Sequence, residues 1–439
     1  MFVIELNDAA VTVSDESGVL LESPGYAVMD ENRLYLGGEA QDVARIRPRW
    51  TNNHFWAQLG MDPMQGATPQ VRHHADLAFA HLQSIWQQVG AEGADVVFAV
   101  PGSWSAEQLG LLLGFANELD LRVRSIVDAA VAAAASSRAK GNLWHLDISL
   151  HRILLTEIRV RDALERERVL VVAEEGLVHF NNLWANAIAD QFVHATRFDP
   201  MHRAETEQRL HDCLPACLAD LEEQGASMVE LSDREKHYSV TVRRDQLVAA
   251  AASAYPRMVR QLQAGAGGAR ALLLSGRFRR FPGLQDALSV LPGLELETLA
   301  PGAAARGCFA NAQELLREGD AVHFLTALRR VEGDTPERNA ETPVAAQPTH
   351  LLYRGQAWPI SRRPVVLALD GDAITQDESQ GDPQCTVLES DGRVWVEPRP
   401  VTQVRLNGRQ VDDRVGLAAG DRLEFSGHEE PVQVISLLS

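Results

Sequence analysis

The sequence predicts a mixed α/β region of two related lobes, followed by a small all-β sandwich. Three observations carry this. Strand-like and helix-like runs alternate from Met1 to about Leu316, and the alternation occurs twice over. A Pro-, Glu- and Ala-rich stretch without periodicity, EGDTPERNAETPVAAQ (332–347), then breaks the pattern and reads as a linker. Beyond it only short alternating runs between turns remain. The division is residues 1–329 for the α/β domain, 330–348 for the linker and 349–439 for the sandwich. A chain of 439 residues is too long for one ordinary core.

The elements follow in order. FVIEL, AVTV and GVLLES are β-rich runs separated by Asn-Asp and Asp-Glu-Ser-Gly turns. Ala75 to Val89 has apolar residues at helical spacing. ADVVFAVPG is a buried strand ending in a turn, and Ser105 and Glu107 suit the start of the helix after it. RVRSIVDAAVAAAAS is a strand running into an Ala-rich helix. LWHLDISL and RILLTEIRV are strands, with a charged hairpin over Arg161 to Arg168 leading to VLVVAEE. Phe180 to about Gln224 is mostly helical, with Pro200 and Pro215 expected to interrupt it. MVELS and HYSVTV pair as strands, and Arg244 to Ala264 reads as one helix. ALLLSG and LELETL are strands around the helix FPGLQDALSVL, and AAARGCFANAQELL closes the domain. In the sandwich, VVLAL, CTVLE, RVWVEP, VRL, DRLEF and VQVISLL alternate between turns such as Asp370-Gly371, Asp391-Gly392 and Asn407-Gly408.

Composition narrows the function classes. With 45% hydrophobic and 23% charged residues, the chain reads as a soluble globular protein. No run of 18 apolar residues occurs, so no membrane insertion is expected. FVIELNDAAVTV carries polar residues within its apolar run and no basic leader, so it reads as a strand rather than a signal peptide. Sixty acidic against 41 basic residues give a net charge of −19, which argues against nucleic acid or an anionic membrane as partner. Four cysteines are too few for a disulfide framework; buried thiols and a cytoplasmic location are expected. Cys213 and Cys217 share one helix face without a second pair to complete a zinc site.

Six segments in register resemble the ATPase region of DnaK-type heat-shock chaperones, of the actin/hexokinase superfamily. YLGGEAQDVARIRPRWTNNHF is similar to the family's glycine-acid-alanine segment, and VVFAVPGSW to its first connecting strand. SIVDAAVAAAAS resembles the acid before an Ala-rich helix, and FNNLWANAIADQFV through MVELSDREKHYSVTVRRDQL the helical subdomain and hairpin. ALLLSGRFRRFPGLQDAL resembles the adenosine motif and LAPGAAARGCFANA the final helix. The resemblance covers about 315 residues and implies an actin-like fold of two lobes around a nucleotide cleft, with Gln58, Asp128 and Asp147 facing it.

The phosphate-binding positions depart from the family. Its first phosphate loop, Asp-Leu-Gly-Thr-Thr, reads Glu5-Leu6-Asn7-Asp8-Ala9 here. Such loops use glycine so that backbone N–H groups can approach phosphate oxygens. Asn7 adds a side chain, Asp8 adds like charge, and both hydroxyls are gone. The second loop, Gly-Gly-Gly-Thr in the family, reads Asp147-Ile148-Ser149-Leu150, with two bulky residues suited to a strand. The family's catalytic lysine falls on Gln58, which removes a charge that would meet developing phosphate charge. Its water-orienting glutamate falls on Asp128, one methylene shorter. Gly276 of the adenosine motif is kept, with Ser275 before it and Arg277, Arg279 and Arg280 after it. Glu5 and Asp147 read as solvated cleft residues or as Mg²⁺-associated carboxylates. The arginines read as a basic loop or an anion site.

The sandwich resembles a forkhead-associated domain through DGRVWVEP and LNGRQVDDRVGLAAGDRLEF. That family reads phosphothreonine, and Arg362 or Arg363 stands where its arginine is expected. Its Ser-Arg-x-x-His stretch falls on Gly381-Asp382-Pro383-Gln384 and its loop asparagine near Val401, which disfavours phosphate. His73, His74 and Asp76 lack a third ligand near in sequence, and His202 and His211 read as solvated. The expectation is a non-catalytic, DnaK-like pseudo-ATPase, without cofactor, that binds protein partners as a scaffold or adaptor. Two rivals remain: a divergent ATPase using ATP and Mg²⁺ through Glu5, Asp128 and Asp147, with Arg45, Arg47 or Arg49 reaching the phosphate, and a phosphothreonine-reading adaptor.

Overall fold

The structure is a computed structural model. It describes residues 1–330 except 31–32, 65–66, 68–70, 91–92, 140, 174, 235, 266–269, 292 and 317–321. Within 350–435 it describes all but 354–355, 361–364, 371–372, 376–382, 391–392, 400–403, 408, 412–413, 418–420 and 426–430. Arg362, Arg363, Asp382 and Val401 therefore lie outside the described residues, as does most of the linker. The chain divides into two compact units, Met1–Glu332 and Gly333–Ser439, and both α and β structure are extensive. Among the described residues no helix is long and apolar enough to cross a membrane.

The first unit holds two lobes. Lobe 1 begins with β1 (Phe2–Glu5), β2 (Val11–Asp15) and β3 (Gly18–Ser23), an antiparallel meander. Beside it, β4 (Ala27–Asp30), β5 (Arg33–Leu36) and β6 (Thr51–Asn52) form a small sheet. Helix α1 (Gly37–Gln41) follows β5, and α2 (His74–Val89) leads to β7 (Asp95–Val100). Helix α3 (Ala106–Glu118), capped by Ser105, leads to β8 (Arg122–Asp128). Strand β7 runs parallel to β1, and β8 parallel to β7. The Ala-rich helix α4 (Ala129–Ala135) then leaves lobe 1.

Lobe 2 repeats the pattern. Strands β9 (Leu143–Ile148), β10 (Arg152–Val160) and β11 (Ala163–Ala173) are again an antiparallel meander. Helices α5 (Leu177–Thr196) and α6 (Ala204–Gln224) follow, then the hairpin β12 (Ala226–Asp233) and β13 (Lys236–Arg243). After α7 (Arg244–Ala250) and α8 (Tyr255–Gly265), β14 (Ala271–Leu274) pairs parallel with β9. Helix α9 (Leu284–Leu288) leads to β15 (Glu295–Thr298), parallel to β14. Helix α10 (Ala303–Ala310) returns toward lobe 1, where β16 (Phe324–Leu325) joins β8, while β17 (Ala327–Arg329) joins β11. Each lobe is thus one meander whose first strand takes a parallel neighbour, which takes a further parallel strand in turn.

The charged run Arg161–Arg168 is part of a hairpin: the chain turns at Arg161-Asp162, and the charges alternate along β11. Two local expectations are corrected. Pro215 does not stop α6, which continues through it. Conversely, Arg244 to Ala264 is two helices. Pro256 has no N–H for a carbonyl four residues back, so the helix breaks at Ala251–Ala254 and restarts with proline in its first turn.

Each lobe has its own core, and a third cluster joins them. It packs Val3, Val97 and Val127 of lobe 1 with Leu143, Ala271 and Leu273 of lobe 2, across α4 and α10. The alanines let these helices approach closely: a Cβ on Gly307 would fall 1.8 Å from Ala132 O. Within lobe 1, His81 of α2 is buried. Trp56 Nε1 donates to His81 Nδ1 at 3.0 Å, which leaves Nε2 to carry the hydrogen facing Ser23 Oγ at 2.7 Å. Burial lowers the His81 pKa to about 4, so the ring is neutral.

The second unit has two antiparallel sheets. Strands β18 (His350–Tyr353), β19 (Gln356–Pro359), β24 (Val404–Leu406), β25 (Arg409–Val411), β27 (Arg422–Phe425) and β28 (Val432–Ile435) make one. Strands β20 (Val365–Asp370), β21 (Ala373–Thr375), β22 (Pro383–Ser390), β23 (Arg393–Pro398) and β26 (Val415–Leu417) make the other. Leu351, Val387, Val396, Leu423 and Val434 from both sheets share one core. Asn407 adopts φ 51° at the β24–β25 turn, and its Oδ1 accepts from Arg422 N at 2.9 Å while Nδ2 donates to Asp421 at 2.8 Å.

Two outcomes test this architecture. Gly307→Ala is expected to cost about 1–3 kcal/mol by overpacking, whereas Gly110→Ala, with open space around the added methyl on α3, is expected to gain about 0.5–1 kcal/mol; urea unfolding of both variants measures this. Because folded His81 holds fewer protons than the unfolded chain below pH 6.5, its contribution is lost as pH falls from there towards 4. His81→Gln should flatten the pH dependence of thermal stability over that range.

Candidate functional site

The facing ends of β1 and β9 meet between the lobes. The turn after β1 is held by its own side chains: Asn7 Oδ1 accepts from Ala9 N at 2.9 Å, and Gly25 N donates to Asp8 O at 2.8 Å. The turn after β9 reaches it directly. Asn7 Nδ2 donates to Asp147 Oδ2 at 2.9 Å and to Ile148 O at 3.0 Å, and Leu150 N donates to Asp8 Oδ1 at 2.6 Å. Burial raises the Asp8 carboxyl above its usual range, against the pull of that hydrogen bond and of Arg152.

The backbone donors that a phosphate would need at this point are already used. Ile148 N donates to Asp147 Oδ1, and Ser149 N to Arg152 O. At the start of α5, Leu177 N and Val178 N donate to Ser149 O and Leu150 O. This helix N-terminus, which would otherwise favour an anion, is capped by the second loop itself. Gly176 makes that contact possible, since a Cβ there would fall 2.3 Å from Leu150 O.

Arg277 completes the closure. Phe278 and Phe281 sink into the core of lobe 2, and Arg277 projects towards lobe 1. One guanidinium nitrogen donates to Glu5 Oε1 at 2.9 Å; the other lies 3.2 and 3.4 Å from the Asp147 carboxylate oxygens. Burial would raise the Asp147 carboxyl, but Arg277, with His145 and hydrogen bonds, holds it below the usual carboxylate range. Burial likewise opposes the charge of Arg277, yet Glu5 and Asp147 raise its pKa further above normal. The expectation of solvated carboxylates is therefore corrected: Glu5 and Asp147 are buried. The residues also fit Mg²⁺ poorly, because the two carboxylates face a tethered guanidinium where a cation would need them.

Three more contacts cross between the lobes. Arg45 reaches Asn182 Oδ1 at 2.6 Å and Glu207 at 3.3 Å, and Gln208 bonds Arg45 N and Gln41 O. His151 meets Asn53 and His54. Asp128 accepts from Ala130 N and Val131 N at the start of α4 and pairs with Arg166 of β11 at 3.0 Å.

Among the described residues, two cavities between the lobes share Leu177, Arg277 and Arg280. One, about 410 Å³, is lined by Glu5, Thr12, His145, Asp147, Gly276 and the 299–304 segment. The other, about 390 Å³, is lined by Tyr26, Arg45, Trp184, Gln208, His211 and Phe281 among others. His211 is thus a cavity residue rather than a solvated one, and burial lowers its pKa to about 4.

The structure brings together Glu5, Asn7, Asp8, Asp147, Ser149, Gly276 and Arg277. It places Gln58 and Asp128 outside both cavity linings: Gln58 is exposed in a separate hollow with Asn52, His54 and His74, and Asp128 is fully buried as a helix cap. Of the arginines considered for a phosphate, Arg45 is engaged by Glu207, Arg47 by Asp30, and Arg49 is exposed just before β6. His73 and Asp76 pair at the start of α2. Among the described residues no group of three or more His, Cys, Asp or Glu is placed to hold a metal ion. Sequence reasoning missed Arg166, His151 and the inward turn of Arg277. A signal existed only for Arg277, the first arginine of the cluster read as a basic loop or anion site.

A scan against protein-family models and a search of curated proteins each found no match.

Arg277→Ala is expected to destabilise the first unit by about 3 kcal/mol, the lower end for breaking a buried ion pair because the guanidinium is partly exposed. The loss should be largest near neutral pH. Asp147, with its lowered pKa, contributes stability above the usual carboxylate range that disappears as it protonates in acid. Urea unfolding of both proteins at pH 7 and pH 3.5 measures the difference.

Proposed function

We propose that this chain is a non-catalytic, DnaK-like pseudo-ATPase of actin-like fold, joined to a degenerate forkhead-associated-like module, and that it serves as a scaffold or adaptor in a cytoplasmic protein assembly. The duplicated strand order of the two lobes supports the actin-like reading. The two-sheet antiparallel core of the second unit supports the sandwich. Four free cysteines agree with a reducing compartment.

The observation that carries the reading is Arg277 between Glu5 and Asp147. A nucleotide phosphate entering here would have to displace it and leave both acids facing the phosphate charge. Breaking a buried pair costs about 3–5 kcal/mol, or roughly two to four orders of magnitude in affinity. The engaged amides of Ala9, Ile148, Ser149 and Leu150 add to this barrier. Charge balance and lobe closure come from side chains, so the fold offers a fixed surface to protein partners.

Thermal unfolding with ATP, ADP and Mg²⁺ tests the proposal. A ligand at 100 times its Kd would add about 2.7 kcal/mol of stability, and no shift is expected. Nor is phosphate release, because removing one charge stabiliser alone costs about 2.7–4 kcal/mol of barrier. Mg²⁺-dependent turnover that vanishes in Asp147→Ala would overturn the reading in favour of the divergent ATPase.

A further inference from the structure

The turn after β9 meets lobe 1 through a second kind of contact. The ring of His151 lies face to face with that of His54, with centroids 3.6 Å apart and planes 14° from parallel. His54 follows β6 in lobe 1 and His151 joins β9 to β10 in lobe 2, so the stack crosses the cleft. His151 Nε2 lies 3.1 Å from both the main-chain oxygen and Oδ1 of Asn53. Two acceptors require the hydrogen on Nε2, which leaves Nδ1 as the site of any further proton. The turn cannot retreat into lobe 2, because a Cβ on Gly176 would already fall 2.4 Å from His151.

We propose that the His54–His151 stack makes lobe closure proton-sensitive, holding at neutral pH and loosening as pH falls through the histidine range. The proposal rests on the reading that the lobes close without a ligand. Two neutral imidazoles stack well at this separation, whereas two imidazolium ions repel across the same gap.

The neighbours act in both senses. Burial lowers the pKa of His54, His151 and His74 lower it further, and Asp8 opposes them. Burial also lowers that of His151, assisted by Arg152 and opposed by its bond to Asn53. The closed lobes therefore hold fewer protons on these rings than opened lobes would, and acid favours opening. Asp8 works the other way. Its raised carboxyl pKa makes the closed state easier to protonate, so its effect must be separated from that of the histidines.

Hydrogen–deuterium exchange on the full chain separates them. His54→Phe keeps a flat ring over His151 but takes no proton, and His151→Gln keeps a donor towards Asn53 and takes none. Asp8 is common to all the proteins compared. Between pH 7.5 and 5.5, after correction for intrinsic rates, opening at the Leu150 and Ala9 amides should rise severalfold more in the wild type than in the double variant, because the wild-type rings take up protons on opening. Equal pH profiles would overturn the proposal. If the variants fold poorly, proton NMR titration of the wild type decides. Two coupled steps below pH 6.5 are expected, and two independent titrations at the ordinary histidine pKa would refute it. Mg-ATP added at pH 7.5 should leave protection unchanged. A change there would count against ligand-free closure, while the nucleotide-free pH comparison still decides the stack.

Discussion

The ion triad of Arg277, Glu5 and Asp147 is the constraint on which the arrangement of the first unit depends. Two carboxylates at the ends of β1 and β9, facing each other from different lobes, would repel and drive the lobes apart. One guanidinium between them reverses the sign of that interaction. Asn7 strengthens it by donating to the same Asp147 that Arg277 contacts. The planar fork suits two acceptors at once, which a lysine ammonium would satisfy less well.

The rest of the interface is arranged around that point. Below it, α4 and α10 cross so closely that a side chain at Gly307 would meet the Ala132 carbonyl, which limits how far the lobes can slide. Above it, Arg45, Asn182, Glu207 and Gln208 join the small sheet of lobe 1 to α5 and α6. Asp128, expected to face the cleft, does different work. It caps α4 and binds Arg166, and burial pushes its carboxyl up against the pull of that arginine. The proposed scaffold role is a consequence of this: a cleft tied at several heights presents one shape.

Much of the fold was legible because periodicity is local. The meanders, the helix after Ser105 and the Ala-rich α4 are written in runs of a dozen residues or fewer. The errors arose where one residue outweighed a pattern. Pro256 split a predicted helix, and Pro215 did not break α6. The site was legible only in part. Glu5, Asn7, Asp8 and Asp147 were found as positions in two loops, but their neutralisation by Arg277 joins residues more than 100 apart. A separation of 97 residues likewise hid His54 from His151, and neither charge nor spacing points from one to the other.

The central claim is that the lobes are closed by the chain's own side chains. Its most direct measurement is the distance between spin labels on Arg49 in lobe 1 and Glu223 on α6 in lobe 2, in a background free of other reactive thiols. The account predicts a single narrow distance without nucleotide, unchanged by Mg-ATP and broadened by Arg277→Ala. A broad distribution in the unliganded protein that narrows or shifts when Mg-ATP is added would contradict it.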